Sequence, residues 1–313
     1  MTRMAILSFK SSGRGMRDLS PKDLARSLGM SESSVKRWVD DGALTATRTA
    51  GGHRRIALAE AVRFVRQSGN AVVRPELLVG LGSLAQVAPY DSTDLQEVGE
   101  RFFALLEHDD APAARSLLLG LYVSGWPVAA ICDGPMRRAL EKIGTLWQHG
   151  EAGIFLEHRA TDTCVRALAE MRALFSAPSA DAPSALGAAP GGDPYIIPSM
   201  MAAAVLADLG YRDHNLGPDA PITALRQAAD HYLPRIVWLA MSVPPNDDRQ
   251  ASALVELGGR LASRGATLIL GGRGAPTLAP EAGTLRIHSM GELAAFARGA
   301  RATFGHTRLA EAS

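Results

Sequence analysis

Cysteine is scarce: Cys132 and Cys164 are the only two in 313 residues. They share no ligand-like spacing, and each sits in an apolar helical context. The expectation is two buried thiols and not a disulfide or a zinc site. No uninterrupted apolar run reaches about 18 residues, and no charged-then-apolar leader opens the chain. These absences predict a cytoplasmic protein with no membrane span. Missing too is any grouping of nucleophile with base, or of metal ligands, so neither a metal site nor catalysis is expected.

What is there is unevenly distributed. The net charge of +1 hides an asymmetry: residues 1–70 hold 13 Lys/Arg against 6 Asp/Glu, a balance of +7, and residues 71–313 hold 20 against 26, a balance of −6. A basic first quarter on an acidic remainder suggests that the first quarter meets a polyanion, although a solvated basic face gives the same count.

Residues 1–17 are polar and Gly/Ser-rich and read as a loose tail. Ser20 and Pro21 then suit the N-cap and first position of a helix. Leu24, Ala25 and Leu28 form its apolar stripe, and Gly29 ends it. Ser31 caps a second helix, in which Val35, Trp38 and Val39 face inward and Ser33, Ser34, Lys36 and Arg37 face outward. Two short helices at a tight Gly-containing turn make a helix-turn-helix, whose second helix offers hydroxyls and cations to a major groove. Beyond Leu44, residues 45–49 alternate like a strand. Gly51 and Gly52 permit a turn, and a short return strand carries Arg54 and Arg55. The pattern is a basic β-wing suited to phosphates. The run Arg48-Thr49-Ala50-Gly51-Gly52-His53-Arg54-Arg55 resembles the wing signature of MerR-type regulators, and the resemblance covers residues 19–66. It implies contact with double-stranded DNA through Ser33, Ser34, Lys36, Arg37, Arg48, His53, Arg54 and Arg55. Ile56 stands where that family usually has an aromatic. An excisionase-like or protein-binding use of the same small fold is the rival reading.

Residues 91–175 read as four amphipathic helices. The first carries Leu95, Val98, Phe102, Phe103 and Leu106. The second spans about 113–124. The third follows Trp126-Pro127 and carries Ile131, Leu140, Ile143 and Trp147. The fourth spans about 152–175. Gly150 and Gly153 read as the turn between the last two, which would bring Trp147 near Glu157 and His158. A flat ring beside an acid and an imidazole can line a ligand pocket; a core tryptophan beside a half-buried Glu-His pair is the plainer reading. His149 is another candidate metal ligand, or a solvated turn histidine. Residues 176–183 are Ala/Ser/Pro-rich and read as a linker. Short strands then appear at about 185–189, 211–216, 235–241, 266–271 and 284–288. Helical stretches fill the gaps near 199–209, 221–231, 248–264 and 289–302. That alternation implies a parallel, doubly wound sheet, which binds ligands outside the carboxyl ends of its strands.

Trp147 with Glu157-His158, followed by this sheet, resembles the cobalamin-binding modules of photoreceptor repressors of carotenoid synthesis. The resemblance covers about residues 20–303. It implies that Trp147, Glu157 and His158 cover the upper face of a corrin. Within the sheet the family pattern is Asp-x-His-x-x-Gly, then Ser-x-Leu, then Gly-Gly. Here these stand as Asp193-Pro194-Tyr195 with Pro198, then Ser242-Val243-Pro244, then Gly271-Gly272. Tyr195 replaces the cobalt-ligating histidine. A neutral phenol is a poor substitute, because its pKa of about 10 leaves little phenolate at neutral pH. Pro198 replaces the glycine, and Pro244 the leucine.

The fold class expected is multidomain, α plus α/β. It comprises a winged helix-turn-helix over 18–70, a four-helix bundle over 71–175, and a flavodoxin-like doubly wound sheet over 184–303, with a tail at 304–313. The expected function is a DNA-binding transcriptional regulator. Its second half would sense cobalamin, another tetrapyrrole or a regulatory protein, and set homo-oligomeric state. A corrinoid-carrying enzyme component, and a regulator with a ligand-free protein-binding domain, are the alternatives.

Overall fold

A computed structural model describes residues 18–79, 95–146, 151–277 and 283–311. The chain divides into two compact units, residues 1–82 and 83–313.

The first unit opens with helix α1 (Pro21–Leu28). The Asp23 N–H donates to the Ser20 hydroxyl at 3.1 Å, and the Ser20 N–H donates to the Asp23 carboxylate at 3.2 Å. This reciprocal cap satisfies donors that a helix start otherwise leaves orphaned. Helix α2 (Glu32–Asp40) is capped by Ser31, whose hydroxyl accepts from the Ser34 N–H at 3.2 Å. Leu24, Ala25, Leu28 and Val35 are buried. Trp38 and Val39 are only half-buried. The Trp38 ring lies against Phe64 of helix α3 (Leu58–Ser68), with centroids 4.8 Å apart. Between α2 and α3, strands β1 (Thr47–Arg48) and β2 (Arg54–Arg55) form an antiparallel ribbon, pairing Thr47 with Arg55 and Arg48 with Arg54. At its base, Leu19 and Ile56 exchange both backbone hydrogen bonds, at 2.8 and 2.9 Å. Both side chains are in the core, so the aliphatic residue at 56 fills its place without a ring.

One boundary differs from expectation. Residues 71–79 were expected in the helical bundle. Instead helix α4 (Pro75–Val79) packs on α1. The amides of Val73 and Arg74 donate to the Ser27 carbonyl at 2.9 and 3.0 Å. That carbonyl lies in the last turn of α1, where no helical partner exists for it.

The second unit begins with a helical layer: α5 (Leu95–Glu107), α6 (Ala111–Val123), α7 (Val128–Ile131), α8 (Arg137–Leu146) and α9 (Glu151–Arg172). The third expected helix is not regular. A π-helical turn, Cys132–Met136, joins α7 to α8 and contains Pro135. Proline has no N–H to give and crowds the carbonyl four residues back, so a wider turn is the accommodating geometry. Both cysteines are buried, as expected. Burial pushes the Cys164 thiol up to about 12 and that of Cys132 further still, so neither is a nucleophile.

The sheet follows: β3 (Ser184–Ala188), β4 (Arg212–Asn215), β5 (Ile236–Ala240), β6 (Thr267–Gly271) and β7 (Thr284–Ile287). Its order is β4-β3-β5-β6-β7, and every pair is parallel. The chain therefore reverses direction across the sheet between β3 and β5, which is where doubly wound folds open a crevice. The expected linker is not free at its end. Ala182 and Pro183 are buried, and the Pro183 carbonyl accepts from the Arg212 amide at 2.9 Å. One face packs Leu186, Val237, Leu239, Leu268 and Leu270 against helices α11 (Ile222–Tyr232) and α12 (Asp248–Ala262). The other is covered by α10 (Ile197–Asp208) and α13 (Met290–Glu311). Helix α10 is apolar nearly all round, because it is enclosed by the sheet, α13 and α9.

Candidate functional site

In the first unit, Ser33, Lys36 and Arg37 lie exposed on α2, and Arg48 and His53 lie exposed on the ribbon. Lys36 is bridged at 2.8 Å to Glu32 one turn back. The Ser34 hydroxyl lies 2.9 Å from that of Ser31, so it belongs to the cap as well as to the face. Arg54 is different from its neighbours. Its guanidinium is held by the Asp40 carboxylate at the end of α2. Among the described residues Arg37, Arg48 and Arg55 have no carboxylate partner. Three unpaired guanidinium groups within this small unit can neutralise phosphates.

In the second unit the expected cluster is only partly placed. Glu157 is half-buried and His158 exposed, with the imidazole Nδ1 3.0 Å from the carboxylate. Trp147 and His149 lie outside the described residues.

The carboxyl ends of β3, β5 and β6 converge as expected, but their groups are engaged by the chain itself. Asp193 is 0% exposed. Its carboxylate accepts from the backbone N–H groups of Ser242, of Val243 at 3.2 Å and of Tyr195 at 3.1 Å. It therefore laces the loop after β3 to the loop after β5. Tyr195 is 42% exposed. Pro198 sits in the first turn of α10, where its missing N–H is no loss. Ser242 is half-buried, and its carbonyl accepts from Arg273 Nε at 3.2 Å. Gly271 ends β6. Gly272 has φ +99°, and a Cβ there would lie 2.3 Å from the Met241 carbonyl oxygen. Its lack of a side chain serves the approach of the neighbouring loop.

Deeper in the sheet, the Trp238 indole lies over Gly187, where an added Cβ would meet the ring at 2.1 Å. The indole N–H donates to Ser199 at 3.1 Å, and Ser199 donates to Asn215 at 2.9 Å. None of these residues was singled out in the sequence. A glycine paired with a tryptophan becomes visible only once the register between β3 and β5 is known. At the opposite, amino end of the sheet a cleft of about 330 Å³ is lined by Ala180, Asp181, Arg212, Leu233 and Arg235. It lies away from the crevice that this topology uses.

Cobalamin is the group that the resemblance implies. The donor set does not fit cobalt ligation from below. Position 195 offers a phenol, the carboxylate that would orient an imidazole is committed to backbone amides, and the clearance at Gly272 is taken by Met241.

The described residues form a small basic unit of four helices and a ribbon, followed by a helix-covered, doubly wound sheet. The chain resembles a transcriptional regulator with a C-terminal cobalamin-binding-like module. Comparison with curated proteins agrees: the chain is 26% identical over 226 residues to the HTH-type transcriptional repressor CarA of Myxococcus xanthus, covering 70% of this chain and 75% of the relative. No protein-family model matches. Among solved structures, the Methanosarcina barkeri monomethylamine corrinoid protein aligns with 64% of this chain and 97% of its own, at 15% identity and a TM-score of 0.49. A cobalamin-binding protein from Desulfitobacterium hafniense aligns with 67% of this chain and 97% of its own, at 16% identity and a TM-score of 0.35.

Proposed function

We propose that the protein is a DNA-binding transcriptional regulator. Residues 18–79 act as a winged helix-turn-helix reader of duplex DNA. The helical layer acts as a four-helix bundle over the sheet, and together they form the regulatory and assembly half. The observation that carries the reading is the set of exposed, unpaired cations on α2 and the ribbon, Arg37 and Arg48, with half-buried Arg55 beside them. The similarity to the transcriptional repressor CarA supports it. In the division of labour proposed, α2 enters the major groove with Ser33, Lys36 and Arg37, and the ribbon meets phosphates through Arg48, His53 and Arg55. A single reader of this size covers few base pairs, so a second copy of the chain is the partner that would supply further affinity.

The regulatory half is cobalamin-binding-like in arrangement. Its signal is read as a ligand or a regulatory protein that takes no nitrogen from position 195. Titration of labelled duplex with Arg48→Gln/Arg55→Gln tests the ribbon. Affinity should fall on every sequence, and the log–log salt slope should shrink by about 0.9 per lost phosphate contact. An unchanged slope would remove the ribbon from the interface.

A further inference from the structure

We infer that the Asp40–Arg54 ion pair is a clamp that sets the ribbon's position against α2, so that Arg54 acts on DNA binding through placement and not as a phosphate ligand. The inference rests on the DNA-reading proposal for its consequence, but its geometry stands on the structure of the first unit.

Three observations point to it. Each strand of the ribbon is only two residues long, and a hairpin of that size does not hold itself in water. Its base is fixed by the Leu19–Ile56 pairing and by the Thr45 amide, which donates to Glu60 at 2.9 Å. Beyond that base, Arg54 is the ribbon side chain joined to α2 by an ion pair. Second, Arg48 and Arg54 stand directly opposite across the two strands. Like charges so placed destabilise a ribbon, and Asp40 neutralises one of them, leaving the other free. Third, Asp40 is the last residue of α2, where the helix dipole disfavours a carboxylate. A cation at that end is what makes an acid tolerable there. The Arg54 side chain is 19% exposed, against 58% for Asp40, so the arginine is the enclosed member.

The sign of one substitution decides the matter. Removing a carboxylate beside a phosphate-binding surface ordinarily tightens DNA binding. If Asp40 is half of a clamp, Asp40→Asn weakens it instead, by about threefold to fivefold, the upper part of the range for a partly exposed ion pair. The salt slope should stay unchanged, because no phosphate contact is deleted. Arg54→Gln should give the same loss, the double variant no further loss, and Asp40→Glu near-parent affinity. Hydrogen exchange of the Thr49 amide, which donates to the His53 carbonyl at 2.9 Å, gives a readout without DNA. It should quicken in Asp40→Asn at unchanged melting of the unit. Equal or tighter DNA binding by Asp40→Asn, a slope reduced by about 0.9 in Arg54→Gln, or unaltered exchange at Thr49 would overturn the clamp. Absence of duplex binding by the parent would overturn the DNA reading, and the exchange result would still decide the clamp.

Discussion

Trp238 shows how one side chain can decide an interior. Its indole occupies the groove that Gly187 leaves in the adjacent strand, and its N–H is held by Ser199. Gly187→Ala drives a methyl group into the ring, and overpacking of this kind costs about 1–3 kcal/mol or more. Trp238→Leu in the same chain should recover part of that loss by relieving the collision. Urea denaturation of the two single variants and the double one reads the coupling; strictly additive losses would mean that the two residues do not meet. His214 offers a second test. Its ring stacks on Tyr232 at 3.7 Å, and Nε2 is buried without a hydrogen-bond partner. Burial holds its pKa below the ordinary 6.5. The unfolded chain therefore takes up the proton first. The stability that neutral His214 contributes is complete above 6.5 and lost as pH falls below it toward the folded value. His214→Phe keeps the stack and cannot titrate, so its melting temperature should fall less than the parent's between pH 7 and 5. Parallel pH profiles would exclude His214 as a source.

At the scale of elements, signals local to the chain were legible. Ser20-Pro21, Ser31 and the glycines around 51–52 announced the two helices and the ribbon, because caps and turns are short-range chemistry. The alternation of strands and helices after residue 184 announced the sheet. What stayed hidden depends on partners far along the chain. Residues 71–79 were placed in the bundle domain because nothing in them says that the amides of Val73 and Arg74 close the Ser27 carbonyl. Asp40 drew no reading from the sequence, since its role needs Arg54. Asp133, in the π-helical turn, was unremarked too. Its carboxylate accepts from the Met290 and Gly291 amides at 2.9 and 2.8 Å and so caps α13 from another element. Asp133→Ala should cost about 1–2 kcal/mol, in the upper range for a lost cap. Exchange should rise selectively in the first turn of α13. Uniform protection across α13 would show that the cap contributes nothing there.

At the scale of the whole molecule, the two units divide the work proposed for the chain. The ligand edge shows why a motif can be half readable. Asp193, Ser242 and Gly271-Gly272 were found through the resemblance to the cobalamin-binding family's pattern, and the structure brings their loops together. Their chemistry was not legible, because the same groups serve loop-to-loop bonds and backbone clearance. With Tyr195 in place of an imidazole, hydroxocobalamin added to the parent protein should give no visible bands of a histidine-ligated cobalt. The appearance of such bands would contradict the misfit at this edge. The most direct test of the central claim is recovery of duplexes from a random library by the protein carrying both units, followed by titration of the enriched duplex against scrambled sequence at about 150 mM salt. The expected result is one enriched motif bound at least about a thousandfold more tightly than scrambled duplex, the lower range for specific readers. Equal affinity for both, or no binding to either, would contradict a sequence-reading regulator.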